Sequence, residues 1–149
     1  MNIFSAMKIS ASGLSAERLR MDVISANVAN ANSTRTVAGG PYKRQVAMLE
    51  AVSPSSAGFS KYLEESQNNQ SNLSGVRVSA IVEDSSPLKR VYDPKHPDAK
   101  EDGYVEYPNV EVMKEMVELI TASRAYEANA TVLNCSKNMV LKTLEIGRG

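Results

Sequence analysis

The stretch VMKEMVELITASRAYEANATVLNCSKNMVLKTL, residues 112–144, repeats with a period of seven. Val112, Leu119, Tyr126, Leu133 and Val140 fall at strict seven-residue intervals, and Met116, Ala130 and Leu144 each follow one of them by four. An apolar seam of that period marks an α-helix packed lengthwise against another helix. Pro108 stops whatever precedes it, Asn109 is placed to cap the start, and Glu111 and Glu115 sit where the helix dipole favours acids. Lys137 and Lys142 lie toward the other end, and Gly147 offers the stop. The spacing predicts a helix over 110–145, about 54 Å long at about 1.5 Å per residue.

A partner of similar length stands at the other end of the chain. Met7, Leu14, Met21 and Val28 recur every seven residues, with Ile3, Ile24 and Ala31 near the complementary seam. This second heptad pattern, over 3–31, has gaps: Ser10 and Glu17 occupy seam positions where a self-sufficient coiled coil carries leucine. Twelve of the residues in 5–31 are Ala, Ser or Gly, so the helix is slender and neighbouring backbones can approach it closely. The economical arrangement pairs the two ends of the chain as an antiparallel helical hairpin.

Between them the pattern changes to short strands and loops. GVRVSAIVED, residues 75–84, alternates Val76, Val78, Ala80 and Val82 against Arg77, Ser79 and Glu83, as a half-buried strand does. Asp84, Ser85, Ser86 and Pro87 supply turn chemistry and LKRVY resumes an extended pattern, so 75–92 is expected to be a β-hairpin. YKRQVAMLEAV (42–52) and GYVEY (103–107) are candidate partner strands, and the polar run over 53–74 reads as a mobile loop. The expected class is therefore α+β. Residues 1–32 and 109–149 form the helical unit, and 33–108 form a small β-rich middle.

Composition narrows function by exclusion. Lys plus Arg and Asp plus Glu each number 17, so no net field draws the chain to nucleic acid. There is no Trp and only two Phe, which leaves few stacking platforms and a core short of bulk. Cys135, the only cysteine, rules out an intrachain disulfide, and its periodic surroundings predict packing over reactivity. Lys8, Glu17, Arg18 and Arg20 interrupt any apolar run a cleavable signal peptide would need, and no stretch approaches a membrane span. Those features alone indicate a cytoplasmic protein, unless the chain leaves the cell by a route that reads no cleavable signal. His96 stands among Asp93, Asp98, Glu101 and Asp102, but without a second histidine or a phosphate-binding glycine loop this is read as a proline-held surface turn, not a metal or acid–base site. No catalytic residue, cofactor, metal or small-molecule substrate is expected.

Amides accumulate at one end of the first helix. SANVANANST (25–34) places Asn27, Asn30 and Asn32 within six residues, and helix termination accounts for only one of them. Asn27 and Asn30 lie on nearly the same face, where an amide offers donor and acceptor to a neighbouring helix and so sets register. SRAYEANA (123–130) has the same character, with Arg124, Tyr126 and Asn129 among alanines. Polar groups on slim faces of both helices suit helices surrounded by others.

GLSAERLRMDVISANVANANST (13–34) resembles the N-terminal signature of bacterial flagellar axial proteins, and PNVEVMKEMVELITASRAYEAN (108–129) resembles their C-terminal signature. The connecting run over 82–110, which includes PLKRVYDPKHPDAKEDGYVEYPNV, narrows the resemblance to the proximal rod members of that family. The resemblance implies a structural, non-enzymatic subunit whose terminal helices pair and stack with neighbouring subunits into a hollow drive shaft, which transmits torque and conducts exported subunits. Its implied partners are copies of itself, other rod proteins, the adaptor between rod and basal membrane ring, and the flagellar type III export apparatus. The implied location is the basal-body rod across the periplasm, reached without signal cleavage. Leu14, Met21, Asn27, Asn30, Met116, Leu119, Arg124, Tyr126, Asn129, Leu133 and Val140 are then expected at subunit contacts. Alternatives are another proximal rod subunit or a coiled-coil assembly adaptor outside the flagellum. The gapped seam further predicts that the terminal helices fray in the monomer and fold fully on assembly.

Overall fold

The structure, a computed structural model, describes residues 3–37, 39–52 and 74–147. The order of elements is α1 (Ile3–Ala29), β1 (Gln45–Val52), β2 (Gly75–Glu83), β3 (Lys89–Tyr92), β4 (Tyr104–Tyr107) and α2 (Val112–Ile146). The 27 residues of α1 span about 40 Å and the 35 of α2 about 52 Å. The α+β expectation holds: two long helices enclose two small antiparallel sheets. The polar run expected to form a mobile loop lies, over 53–73, outside the described residues.

The helices run antiparallel in a fixed register. Asn27 on α1 hydrogen-bonds Glu115 on α2, and a Cβ built on Gly13 would lie 3.1 Å from the Asn129 side chain. Fourteen residues down one helix are thus matched by fourteen up the other. The deepest row of α2 is Glu115, Ala122 and Ser136, with Asn129 in the same seven-residue row against Gly13. On α1 the buried set is Ser10, Gly13, Ala16, Val23, Ile24 and Asn27.

This corrects the expected seam in part: Ser10 and Ile24 are buried as expected, but the bulky heptad rows are not the deepest. Met7, Leu14, Met21 and Val28 are half-buried at its margin, as are Leu119, Leu133 and Val140, while Val112 and Tyr126 are exposed. On α2 the row closest to the other backbone carries only small or directly bonded side chains, so the bulky apolar row flanks it, whereas α1 also buries Val23 and Ile24. Both rows share the period of seven, and hydropathy picks out the flanking one. Cys135 is likewise exposed instead of packed.

The sheets also depart from expectation. β2 pairs with β1, and β3 pairs with β4, so no hairpin forms over 75–92. At the bend between β2 and β3, the Asn109 amide donates to the carbonyls of Asp84 (3.1 Å) and Ser86 (3.2 Å), turning the chain away from β2. The β1–β2 register shifts at Met48/Leu49, leaving Ser79 unpaired in the ladder with its hydroxyl on the Met48 carbonyl. One extra residue interrupts the alternation read from Val76 to Val82. In the second hairpin, Gly103 has φ +75° and a Cβ there would meet the Tyr92 ring at 2.8 Å, so only glycine fits. The rings of Tyr92 and Tyr104 pack edge to face at 5.3 Å beside it.

The β1–β2 sheet rests on α1. Ser12 donates to the carbonyl of Ile9 at 2.6 Å and accepts the N–H of Val76 at 3.1 Å, which gives the first strand bond of β2 a partner on the helix.

Candidate functional site

Where the end of α1, the start of β1 and the first turn of α2 converge, the chain builds a buried polar joint. Asn27 is its centre, and all four of its hydrogen bonds are internal. Its Nδ2 donates to the Gln45 carbonyl (2.8 Å) and to Glu115 Oε2 (3.0 Å); its Oδ1 accepts the Tyr42 hydroxyl (2.9 Å) and the Gln45 N–H (2.9 Å). An amide offers two donors and two acceptor lone pairs, so Asn27 is saturated.

Arg44 neutralises the acids around it. Its Nε donates to Glu115 Oε1 at 2.6 Å, one terminal nitrogen reaches Glu118 at 3.1 Å and the other reaches Asp84 at 3.4 Å. Glu115 is fully buried, and a carboxylate removed from water is tolerable only when paired and hydrogen-bonded, as here. Burial opposes the charge on Arg44, but the hydrogen bond and charge of Glu115, with Glu118 and Asp84, outweigh it and hold its pKa above the ordinary value. Burial first, then the negative charges of Glu115 and Glu83, push the Tyr42 hydroxyl up from its usual value. Asn109, expected to cap α2, instead accepts the Arg44 N–H at 2.8 Å while holding the β2–β3 bend. Glu111 begins the helix without a side-chain cap bond.

Asn30 folds its amide back onto the Ala26 carbonyl at 2.9 Å and accepts the Ser33 hydroxyl at 3.1 Å, so it terminates α1. Asn129 donates to the Ala125 carbonyl at 2.9 Å and presents its side chain to Gly13. Asn27, expected to offer its amide to a neighbouring helix, does so within its own chain: it is 1 % exposed and the helix it meets is α2. Arg124 and Tyr126 face outward, as does Met116, while Leu14, Met21, Leu119, Leu133 and Val140 are divided between the hairpin and solvent. Sequence reasoning missed Tyr42, Arg44 and Gln45 as partners of the joint. Their available signal was a Tyr–Lys–Arg–Gln run entering β1, indistinguishable by composition from an exposed strand start.

The His96 cluster is a turn. His96 Nδ1 accepts the Asp98 N–H at 3.1 Å, Asp98 accepts the Thr34 hydroxyl at 2.8 Å, and Asp93 accepts the Lys95 N–H at 3.2 Å. Among the described residues, no group of three His, Cys, Asp or Glu is placed to hold a metal ion, and no helix is long and apolar enough to cross a membrane. The joint holds elements at fixed angles, and the apolar side chains left outside it are the remaining chemistry.

Comparison with known proteins assigns that chemistry to a family. A profile described as flagella basal body rod protein matches residues 7–35, and one described as flagellar basal body rod FlgEFG protein C-terminal matches 101–146. The chain is 45 % identical to the flagellar basal-body rod protein FlgC of Bacillus subtilis strain 168, over 99 % of this chain and 100 % of that protein. It is 45 % identical to FlgC of Borreliella burgdorferi over the full length of both, and 39 % identical to FlgC of Salmonella typhimurium over 99 % of this chain and 98 % of that one. The chain belongs to the FlgC family of flagellar basal-body rod proteins. The two profile matches fall on the two sides of the joint: Asn27 lies in the first and Glu115 in the second, with Tyr42, Arg44 and Asp84 between. These relatives are structural rod proteins by name, which accords with a role in architecture for the FlgC-family joint.

Proposed function

We propose that this chain is a structural subunit of the proximal rod, stacking helically with copies of itself and other rod proteins into a hollow shaft that transmits torque and conducts exported subunits. One observation carries the reading. The hairpin leaves apolar side chains exposed on the face of α2 away from α1, with Met113, Met116, Val117 and Ile120 contiguous over its first turns. A free-standing hairpin carries charge there, and a patch of this kind marks an interaction surface. Residues 1–32 and 109–149 are then the tube-forming unit and 33–108 the part that contacts neighbouring subunits.

Met116, Arg124 and Tyr126 offer outward surface for subunit contact, and Leu14, Met21, Leu119, Leu133 and Val140 have free margins for the same use. Asn30 and Asn129 act through the helix end and the close hairpin line. The buried Glu17 Oε2 has no hydrogen-bond partner among the described residues, its nearest cation being Arg20 at 3.9 Å. An unmet carboxylate oxygen in the hairpin supports marginal helices that fray in the monomer and complete folding on assembly. Such ends suit passage through the type III export apparatus without a cleaved signal and delivery to the rod across the periplasm. At its base the rod would join the adaptor to the membrane ring. Catalysis has no part in this function.

Basal bodies isolated from the source cells, probed with an antibody to this chain, test the reading. The chain should co-purify with the rod, and cells lacking it should assemble none. Complete rods in its absence would overturn the proposal.

A further inference from the structure

The β3–β4 hairpin is only lightly attached to the rest of the molecule. Among the secondary-structure elements these two strands approach only each other, whereas β1 and β2 both lie on α1 and α1 lies along α2. The loop between β3 and β4 folds back along β4. Its Lys100 N–H donates to the Tyr104 carbonyl at 3.0 Å, Lys100 pairs with Glu106 at 2.7 Å, and the His96 ring stands edge to face with Tyr107 at 6.2 Å. Val105 on β4 is fully buried, so 89–107 forms a small unit with a centre of its own. Two segments, 84–88 and 108–111, join this unit to the body. The Asn109 side chain staples both to the entry of β1: its nitrogen holds the Asp84 and Ser86 carbonyls, and its oxygen takes the Arg44 N–H. Beyond that pivot one bond remains. Among the described residues, the only hydrogen bond or ion pair between 88–107 and the rest of the chain runs from the Thr34 hydroxyl to Asp98 Oδ2, at 2.8 Å. Thr34 is fixed on the body, because the adjacent Ser33 donates its N–H to the Asn30 carbonyl and accepts the Tyr42 N–H, both at 3.0 Å. Asp98 is set in place by His96, whose Nδ1 accepts the Asp98 N–H at 3.1 Å.

We infer that β3–β4 is a hinged arm that pivots at Asn109 and is latched to the end of α1 by the Thr34–Asp98 bond, with His96 as the residue that positions Asp98. The device belongs to the single chain, so it holds apart from the rod reading. One hydrogen bond to a carboxylate favours the closed position, yet it opens far more readily than the saturated joint around Asn27, where several elements would have to part together. The swing has a consequence for the surface. A groove of about 730 Å³ lies between arm and body, with Val91 and Tyr107 on one wall and Ala31, Val110 and Val112 on the other. Latched, the arm holds that width. Released, it moves one wall against the other, so the latch controls how much apolar surface the chain presents there. The lone histidine of the sequence thereby acquires a part that neither metal binding nor acid–base chemistry gives it.

Residual dipolar couplings of the backbone amides, measured on the full chain, report the orientation of one unit against another and so test this. In the native chain the amides of 89–92 and 104–107 should share one alignment with those of β1–β2 and the first half of α2. Thr34→Val keeps the shape of the side chain and loses the hydroxyl. In that variant the arm couplings should shrink relative to those of the body, while amide exchange within arm and body stays at native rates. His96→Leu should give the same loss. His96→Asn should recover the native couplings, because an asparagine oxygen accepts the N–H two residues on. Arm couplings in Thr34→Val that still scale with the body, or that are already averaged in the native chain, would overturn the latch. Faster exchange throughout the variant would overturn it too, by showing that Thr34 supports the whole fold. No difference between His96→Leu and His96→Asn would overturn the part given to His96.

Discussion

Glu115 and Asn27 meet at 3.0 Å across 88 residues of chain, and both side chains are buried. The bond joins the first turn of α2 to the last turn of α1, while the other bonds of Asn27 fix the start of β1 to the same point. Replacing Asn27 by Ala strands the Gln45 N–H, the Tyr42 hydroxyl and one carboxylate oxygen together. Each group left unmet costs about 1–3 kcal/mol, so the loss on urea unfolding should be about 3 kcal/mol or more. Asn27→Asp should cost more still, since it sets a second negative charge against Glu115. A change under about 1 kcal/mol for either variant, the low end for a single unmet group, would mean the joint is not a stability centre.

Arg44 is the counter-charge for three carboxylates, one of them wholly buried. Removing one partner of a buried pair typically costs about 3–5 kcal/mol, and Arg44→Met should fall in that range. Arg44→Lys keeps the charge but not the planar fork that reaches several acids at once, so it should recover only part of the loss. Equal stability of the lysine variant and the native chain would show that charge alone accounts for the role of Arg44.

Gly13 and Asn129 define the closest line of the hairpin. Gly13→Ala gains about 1 kcal/mol of helix propensity, but places a methyl 3.1–3.2 Å from the Asn129 side chain, which is tied to Ala125. The two effects should nearly cancel. Gly13→Leu has no such balance and should destabilise by about 2 kcal/mol or more through overpacking. In a double-mutant cycle, Asn129→Ala should turn Gly13→Ala into a net gain; additive effects would contradict the close contact.

Acidification should weaken the β region. Hydrogen bonds from the Ser86 hydroxyl and N–H hold the Asp84 carboxyl below the usual carboxylate value, and bonds from Lys100 and Arg90 do the same for Glu106. A carboxyl whose folded pKa is depressed contributes stability that is fully present above the unfolded value, about 4, and is lost as pH falls through the lower folded value. Stability should therefore decline below about pH 4, and Ser86→Ala should reduce the decline due to Asp84. Carboxyl chemical shifts followed by NMR would check it: an Asp84 titration in Ser86→Ala identical to that of the native chain would remove the cause named here.

Glu17 is the gap in the hairpin. Glu17→Leu removes the unmet carboxylate oxygen and adds apolar area, so the monomer should become more helical and its α1 amides should exchange more slowly. Hydrogen exchange unchanged by the substitution would show that α1 is not limited by this position.

Two long helices at the ends of the chain, with strands between them, are legible in the amino-acid order. That information is local: a period of seven against a period of two, with Pro108 before the last helix and Gly147 after it. The family resemblance resides in those same helical runs and in the connecting run over 82–110. Which seven-residue row lies deepest is settled only in the folded chain. Leu119 and Leu133 share the period of Ala122 and Ser136, and the approach of the two backbones selects the small row. Strand pairing is settled there too, since β2 is equally suited by pattern to β1 or β3 until Asn109 bends the chain after Glu83. The same holds for the service Asn27 performs for its own chain. An amide declares four hydrogen bonds in any sequence, but the partners of this one stand 15, 18 and 88 residues away, and no local pattern encodes a distance of that kind.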